Sequence, residues 1–155
     1  MKKWIVLLLA LFLLTGCSAQ EKPAALTASC QEIAEKVMAA AGFQELTAIN
    51  EKYLEKHFLI QADALEDWAL YRDATRATPE MVLIAKVKSG ADQASIQKAL
   101  NAYNSEQLTL YRDYQPDQVV KLEQAKALQN GAYLALIVSP DADKTTAALG
   151  QGWRE

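Results

Sequence analysis

One histidine and two cysteines are the only imidazole and thiol groups in the 155 residues. A paired-histidine or multi-cysteine metal centre needs more of both. No run of alternating acids around a central glycine supplies a calcium loop. Proline and glycine are also sparse, at 4 and 6 residues, in a chain that is 51% hydrophobic. That balance excludes collagen-like, low-complexity and disordered chains. Cations are not in excess, with 16 Lys and Arg against 19 Asp and Glu, so the basic stripe that nucleic-acid binding requires is missing. Phosphate-cradling glycine loops are absent. The longest apolar run, Trp4 to Leu14, has eleven residues. As a helix it would rise about 16 Å against roughly 30 Å of bilayer hydrocarbon, too short to span stably.

What is present begins at the N-terminus. Lys2 and Lys3 precede the apolar run, and Leu14-Thr15-Gly16-Cys17 follows it. Charge and apolar run read as a secretory signal. The last four residues resemble the lipobox of bacterial lipoproteins at every position. In that pathway residues 1–16 are removed and the Cys17 thiol, the strong nucleophile of the motif, carries a diacylglyceryl group. Two acyl chains anchor durably where one binds marginally. The expected place is therefore the extracytoplasmic face of the cell membrane, with membrane lipid as a partner through the anchor and no cofactor beyond that covalent lipid. Loss of residues 1–16 leaves 139 residues, with 14 cations against 19 acids and a net charge of −5. Such a balance does not adhere to anionic lipid by charge, so the acyl chains must hold. Cys30 is then the one remaining thiol; it reads as a small buried residue of the first helix rather than a reactive one.

Residues 17–25 are small and polar around Pro23 and read as a tether, and residues 26–155 as a single domain. Ser29-x-x-Glu32 has capping-box spacing, with Ile33, Val37 and Ala41 following at four-residue steps and Gly42 at the helix end. A second helix is expected from near Thr47, carrying Ile49, Tyr53, Leu54 and Phe58. Trp68–Arg72 and Met81–Lys88 read as strands joined by a short antiparallel connection. Asp92 caps a long helix from Gln93 to about Tyr111, whose buried stripe of Ile96, Leu100, Tyr103 and Leu110 is interrupted by Gln107. After a short helical segment at Asp117–Glu123, Asn130-Gly131 is expected as a type I′ turn between Ala125–Gln129 and Ala132–Val138. The last of these strands is apolar on both faces, which puts it inside a sheet. Ser139 and Pro140 are expected to open a final helix, with its end near Gly150 and Gly152 frayed and Trp153 loosely docked. The order predicts an α+β fold: an antiparallel sheet of about four strands in a β-β-α-β-β-α core, helices on one face, and two N-terminal helices ahead of it. Leu-Tyr-Arg-Asp occurs at 70–73 and again at 110–113, once on a strand and once on a helix end, and is read as coincidence.

Trp68-Ala-Leu-Tyr71, the strand Met81–Val87, Asp92 before a long helix, Tyr114-Gln-Pro-Asp-Gln118, Asn130-Gly-Ala-Tyr133 and Ser139-Pro-Asp-Ala-Asp-Lys144 occur in that order. In succession and spacing, over roughly residues 46–149, they resemble the domain of unknown function numbered 4358, carried by lipoproteins of clostridia-like Gram-positive bacteria. The resemblance implies lipid anchorage outside the cell membrane and an unassigned function. It supplies no catalytic residues. Ala102–Gln107 departs from the commoner pattern, which is more charged there.

No catalytic constellation emerges from the residues themselves. His57 lies on an amphipathic segment without a serine and acid in motif spacing. Asp141-x-Asp143 is explained by the positive end of a helix, without a metal. Glu66 or Asp67 with Glu80 is the one carboxylate pair that would suit acid–base work on envelope carbohydrate, the alternative reading to binding. A structural or assembly subunit is the third. Tyr111, Arg112 and Tyr114, with Gln115 and Pro116, gather residue types favoured at binding hot spots. They form the candidate patch for an unknown protein or small ligand. Cys17→Ser should abolish incorporation of labelled palmitate and release the protein from the membrane fraction; retention of label would overturn the anchor assignment.

Overall fold

The computed structural model describes residues 26–155; the signal peptide, the lipobox Leu14-Thr15-Gly16-Cys17 and the tether lie outside the described residues. Helix α1, Cys30–Ala41, is fixed by its ends. The Ser29 hydroxyl accepts from the Glu32 N–H, the Glu32 carboxylate accepts from the Ser29 N–H at 2.8 Å, and Gly42 closes the helix at φ 73°. Both terminal backbone sets are thereby satisfied, and only glycine adopts that last conformation without strain. Cys30, Ile33, Ala34, Val37 and Ala41 form its buried stripe.

The second expected helix is largely replaced. Leu46–Ala48 is instead strand β1, paired antiparallel with strand β2, Leu65–Asp73, in the register Leu46↔Asp73. Only then do Asn50 and its cap start the short helical turn α2, Glu51–Tyr53, which runs on as one π-helical turn, Leu54–Phe58. Pairing at 46–48 covers the open edge of β2, which competes with helix formation at Thr47. The sheet thus has five strands, ordered β1-β2-β3-β5-β4 with every neighbour antiparallel. Strand β3 is Met81–Val87, β4 is Leu128–Asn130 and β5 is Tyr133–Val138. The doubly apolar β5 does lie inside the sheet, between β3 and β4.

Helices cover both faces rather than one. On the first face Leu70, Leu83, Leu134 and Leu136 meet Ile96, Leu100 and Tyr103 of α3, Gln93–Tyr114, and Leu122 of α4, Val119–Gln124. On the second, Val82, Ile84, Ala135 and Ile137 meet Ile33 and Val37 of α1 and Leu149 of α5, Ala142–Leu149. Asp92 caps α3 as expected, through the Ser95 N–H. Leu110 does not join the stripe and is 48% exposed; Asn104 and Tyr111 are buried instead. The Asn104 amide donates to the carbonyls of Leu122 at 2.9 Å and Ala125 at 3.1 Å, closing α4 from the side. Glu80, only 3% exposed, is neutralised by Lys121 of α4 at 2.7 Å.

Three local expectations change. Asn130 pairs with Tyr133, so Gly131 and Ala132 form the turn, with a positive φ of 58° at Gly131 alone. That is the type II′ pattern rather than I′, and Asn130 belongs to β4. Helix α5 is capped by Asp141, not Ser139, because the Ser139 hydroxyl is occupied by the Asp141 N–H and by Thr145. The expected frayed end is held, since Arg154 and Gln129 exchange backbone hydrogen bonds of 2.7 and 3.0 Å.

The β2–β3 connection is ordered by one carboxylate. Asp73 accepts from the N–H and hydroxyl of Thr75 at 2.8 and 2.6 Å and from those of Thr78 at 2.8 and 3.0 Å. Desolvation raises the Asp73 pKa, but these four bonds outweigh it and bring the carboxyl to about 2. A carboxyl depressed in the folded state stabilises above its unfolded value, near 4, and that contribution is lost as pH falls through about 2. Asp73→Asn should therefore destabilise at pH 7 by about 1–2 kcal/mol in urea titrations, with the gap to wild type closing as the pH approaches 2. Leu136→Ala, at a fully buried site, should cost about 2–5 kcal/mol, whereas Leu110→Ala should change stability by less than about 0.5 kcal/mol.

Candidate functional site

The structure divides the expected Tyr111, Arg112 and Tyr114 patch. Tyr111 is buried under the sheet end; Tyr114 is 77% exposed; Arg112 turns away, toward Glu123 at 3.7 Å. What Tyr111 and Tyr114 do line, together with Leu110, is a groove of about 380 Å³ between the end of α3 and the β2–β3 hairpin. Its opposite wall is Arg72 and Arg76, which the sequence reading did not nominate. Gln107, the polar break in the α3 stripe, faces this groove, and Gln115 lies at the helix end with a buried amide oxygen that has no partner among the described residues.

Arg72 is held in place from below. Its guanidinium lies 4.8 Å from the centre of the Tyr53 ring and donates to the Tyr53 hydroxyl, which in turn is 3.3 Å from that of Tyr103. Phe58 stacks on Tyr103 at 3.9 Å, and His57 stacks on Tyr53 at 4.0 Å. Burial raises the Tyr103 and Tyr111 hydroxyls above their ordinary range, so both act as neutral phenols. His57 is held below its usual value, by partial burial first and then by the charges of Lys56, Arg72 and Arg76. Lys56, Arg72 and Arg76 thus gather at that end of the domain, opposed by Glu106. Arg76 sits in the Asp73-ordered connection with φ 60°, one of two non-glycine residues with positive φ among those described. Neither Arg72 nor Arg76 makes an ion pair with a carboxylate among the described residues. The nearest acid in sequence, Asp73, has both oxygens committed to Thr75 and Thr78.

The candidate patch pointed to the α3 wall of the groove through Tyr111 and Tyr114, while the repeated tetrapeptide, read as coincidence, touches both walls. The Leu-Tyr-Arg-Asp copies at 70–73 and 110–113 meet at this groove, which takes Arg72 from the first and Leu110 and Tyr111 from the second. They are on a strand and a helix, so this is juxtaposition and not an internal repeat.

The carboxylate pair is not assembled. Glu66 is paired with Lys86 at 2.6 Å, and Asp67 accepts from the Cys30 N–H at 2.7 Å. Asp67 stands opposite Lys86, while Glu80 lies beyond Met81 at the other end of the hairpin, where Met81 faces Arg72. Six strand residues at about 3.3 Å each put Glu80 about 20 Å from Asp67, beyond the roughly 9.5 Å of the wider glycosidase geometry. His57 is exposed and makes no side-chain hydrogen bond among the described residues. Asp141 is used as the α5 cap and pairs with Lys144 at 2.9 Å. No group of three His, Cys, Asp or Glu side chains converges among the described residues. Cys30 is buried, and burial pushes its thiol up, away from reactivity.

No described helix is long and apolar enough to cross a membrane. Residues 1–18 match the prokaryotic membrane lipoprotein lipid attachment site, which makes this a lipid-anchored, membrane-associated protein of the cell surface. No curated protein and no solved structure matches the chain. From the end of α1 to Ser139, over residues 39–139, the sequence matches the domain of unknown function DUF4358, and the chain belongs to that family.

Proposed function

We propose that this lipoprotein is a non-catalytic binding module of the cell envelope and that the groove between α3 and the β2–β3 hairpin is its working face. The observation that carries the reading is the pair of guanidinium groups without carboxylate partners among the described residues, set beside exposed apolar and aromatic side chains in a concavity. Arginine and tyrosine in one concave, partly desolvated site are the residue types that dominate binding energies.

Position supports the same reading. The chain enters the domain at the opposite end of the sheet from the groove. There the Tyr133 hydroxyl donates to the Ala28 carbonyl at 2.9 Å, and the Cys30 N–H meets Asp67. Five strand residues, about 17 Å, separate Asp67 from Arg72. The entry segment leads into α1 on the second sheet face, whereas Tyr111 packs on the first. Nine residues, Cys17 to Ala25, reach at most about 30 Å even when extended. A domain attached through that end leaves the groove accessible to solutes and proteins of the envelope.

Chemical crosslinking on intact host cells, followed by purification of the lipoprotein and mass spectrometry, tests the assignment. Tyr114→Ala should abolish a reproducible crosslinked partner or ligand while Arg112→Ala, which alters only the exposed contact with Glu123, preserves it. Loss with Arg112→Ala but not with Tyr114→Ala would place the working face elsewhere.

A further inference from the structure

We infer that the groove takes an organic anion, with an oxyanion head between Arg72 and Arg76 and an apolar body along Leu110 and Tyr114. This rests on the groove being the binding face and specifies what it binds. Acids outnumber cations in the mature chain, 19 to 14, yet these two arginines have none as partners among the described residues. Lys86, Arg112, Lys121, Lys126 and Lys144 each have a carboxylate within 4 Å, whereas among the described residues Arg72 and Arg76 stand together without one on the wall of a single concavity. A guanidinium presents a planar fork of donors that matches a carboxylate or a phosphate, and an unoccupied fork beside another is a site of matching charge.

Both arginines are held in position before a ligand arrives. Arg72 spends one N–H on the Tyr53 hydroxyl and rests on that ring, which fixes its plane and leaves the remaining donors free. Arg76 is presented by a connection that four hydrogen bonds to Asp73 hold rigid. Its left-handed backbone is one that glycine would occupy without strain. A long cationic side chain at such a position is a costly choice for a turn and a fitting one for a binding wall.

The apolar half follows from exposure. Leu110 and Tyr114 are two of the four large hydrophobic residues prominent on the described surface, and both lie on this groove. A volume of about 380 Å³ falls at the lower end of the roughly 300–1,000 Å³ of small-ligand sites. It suits a compact anion with an aromatic or branched apolar group, free or at the tip of a larger molecule, and not a bare inorganic ion.

Calorimetric titration of the full lipoprotein in zwitterionic nanodiscs distinguishes the possibilities. The probes are 3-phenylpropanoate, phenyl phosphate, neutral 3-phenylpropanamide and inorganic phosphate. At least one of the two aromatic anions should bind, and whichever binds more tightly identifies the head group as carboxylate or phosphate. The amide and inorganic phosphate should each bind at least about tenfold more weakly, the worth of a charge-assisted hydrogen bond or of a lost apolar contact. Arg76→Gly should weaken the aromatic anion about tenfold while leaving the melting temperature unchanged or higher, because the substitution also relieves the backbone. Equal binding of the amide, indifference to Arg76→Gly, or inorganic phosphate binding as tightly as the aromatic anions would overturn the inference. If no anion binds while the crosslinked partner is still lost with Tyr114→Ala, the anion specificity falls and the binding face stands. If that partner also survives Tyr114→Ala, both fall.

Discussion

A strand that is apolar on both sides has to be covered on both sides, and β5 imposes that requirement on the whole chain. Tyr133 to Val138 is buried at every position, and its neighbour β3 is buried at all but Lys86. Leu83 against Leu136 and Ile84 against Ala135 are therefore pairs within a closed interior, where a flat stack of aliphatic side chains on each face excludes water. The helices answer this need and not a propensity of their own. With α3 and α4 on one face and α1 and α5 on the other, each apolar face removes from water the surface that the strands cannot hide. The outer strands β1 and β4, three residues each, are short caps on the two sheet edges, a common defence against further strand addition.

The groove is a consequence of mismatched lengths. Helix α3 has 22 residues, about 33 Å of rise, whereas β3 has seven, about 23 Å. The helix outruns the sheet, so its last turns have no strand beneath them. Tyr111 still reaches the sheet edge, but Leu110 and Tyr114 are left without a layer to pack on. The β2–β3 connection rises beside that overhang, and because Asp73 orders it, the connection forms a wall and not a mobile loop. Arg72 comes from the last regular pair of β2 and Arg76 from the wall itself. Two elements that end at different heights thereby make a concavity that neither would make alone.

This also explains which parts of the molecule were legible in sequence. Features with local causes were readable: the capping box of α1, the Asp92 cap, the glycine after Ala41, and the doubly apolar run of β5 are each written within a few consecutive residues. Features decided by distant partners were not. Leu46–Ala48 carries no strand pattern of its own and becomes one because β2 has an edge to offer. The period of α3 continues smoothly through Leu110, and only the length of the sheet decides that the pattern stops mattering there. The same applies to the site. Tyr111, Arg112 and Tyr114 were grouped because they are adjacent in sequence, but a helix sends successive residues to different faces, about 100° apart. Arg112 follows Tyr111 and is turned to Glu123 for that reason, while the cations that do face the tyrosines come from residues 72 and 76.

The extent of the family match sharpens the division between the two ends of the domain. Residues 39–139 contain all five strands, α3 and α4, and with them every residue that lines the groove. Most of α1 and all of α5 lie outside it. Those two helices pack against each other over Val82, Ile84, Ala135 and Ile137, a surface the matched span would otherwise leave bare. Their cleft, lined by Leu26, Ile33, Lys36 and Trp153, also adjoins the point where the chain comes in from its lipid. The second sheet face and the anchor are thus served by the same flanking segments, at the end of the sheet remote from Arg72. A cover that closes the core and faces the tether leaves the opposite, hairpin end of the matched span free of structural duty toward the membrane. There Arg72 and Arg76, without carboxylate partners among the described residues, line the groove beside the overhanging Tyr114, with the core complete without them.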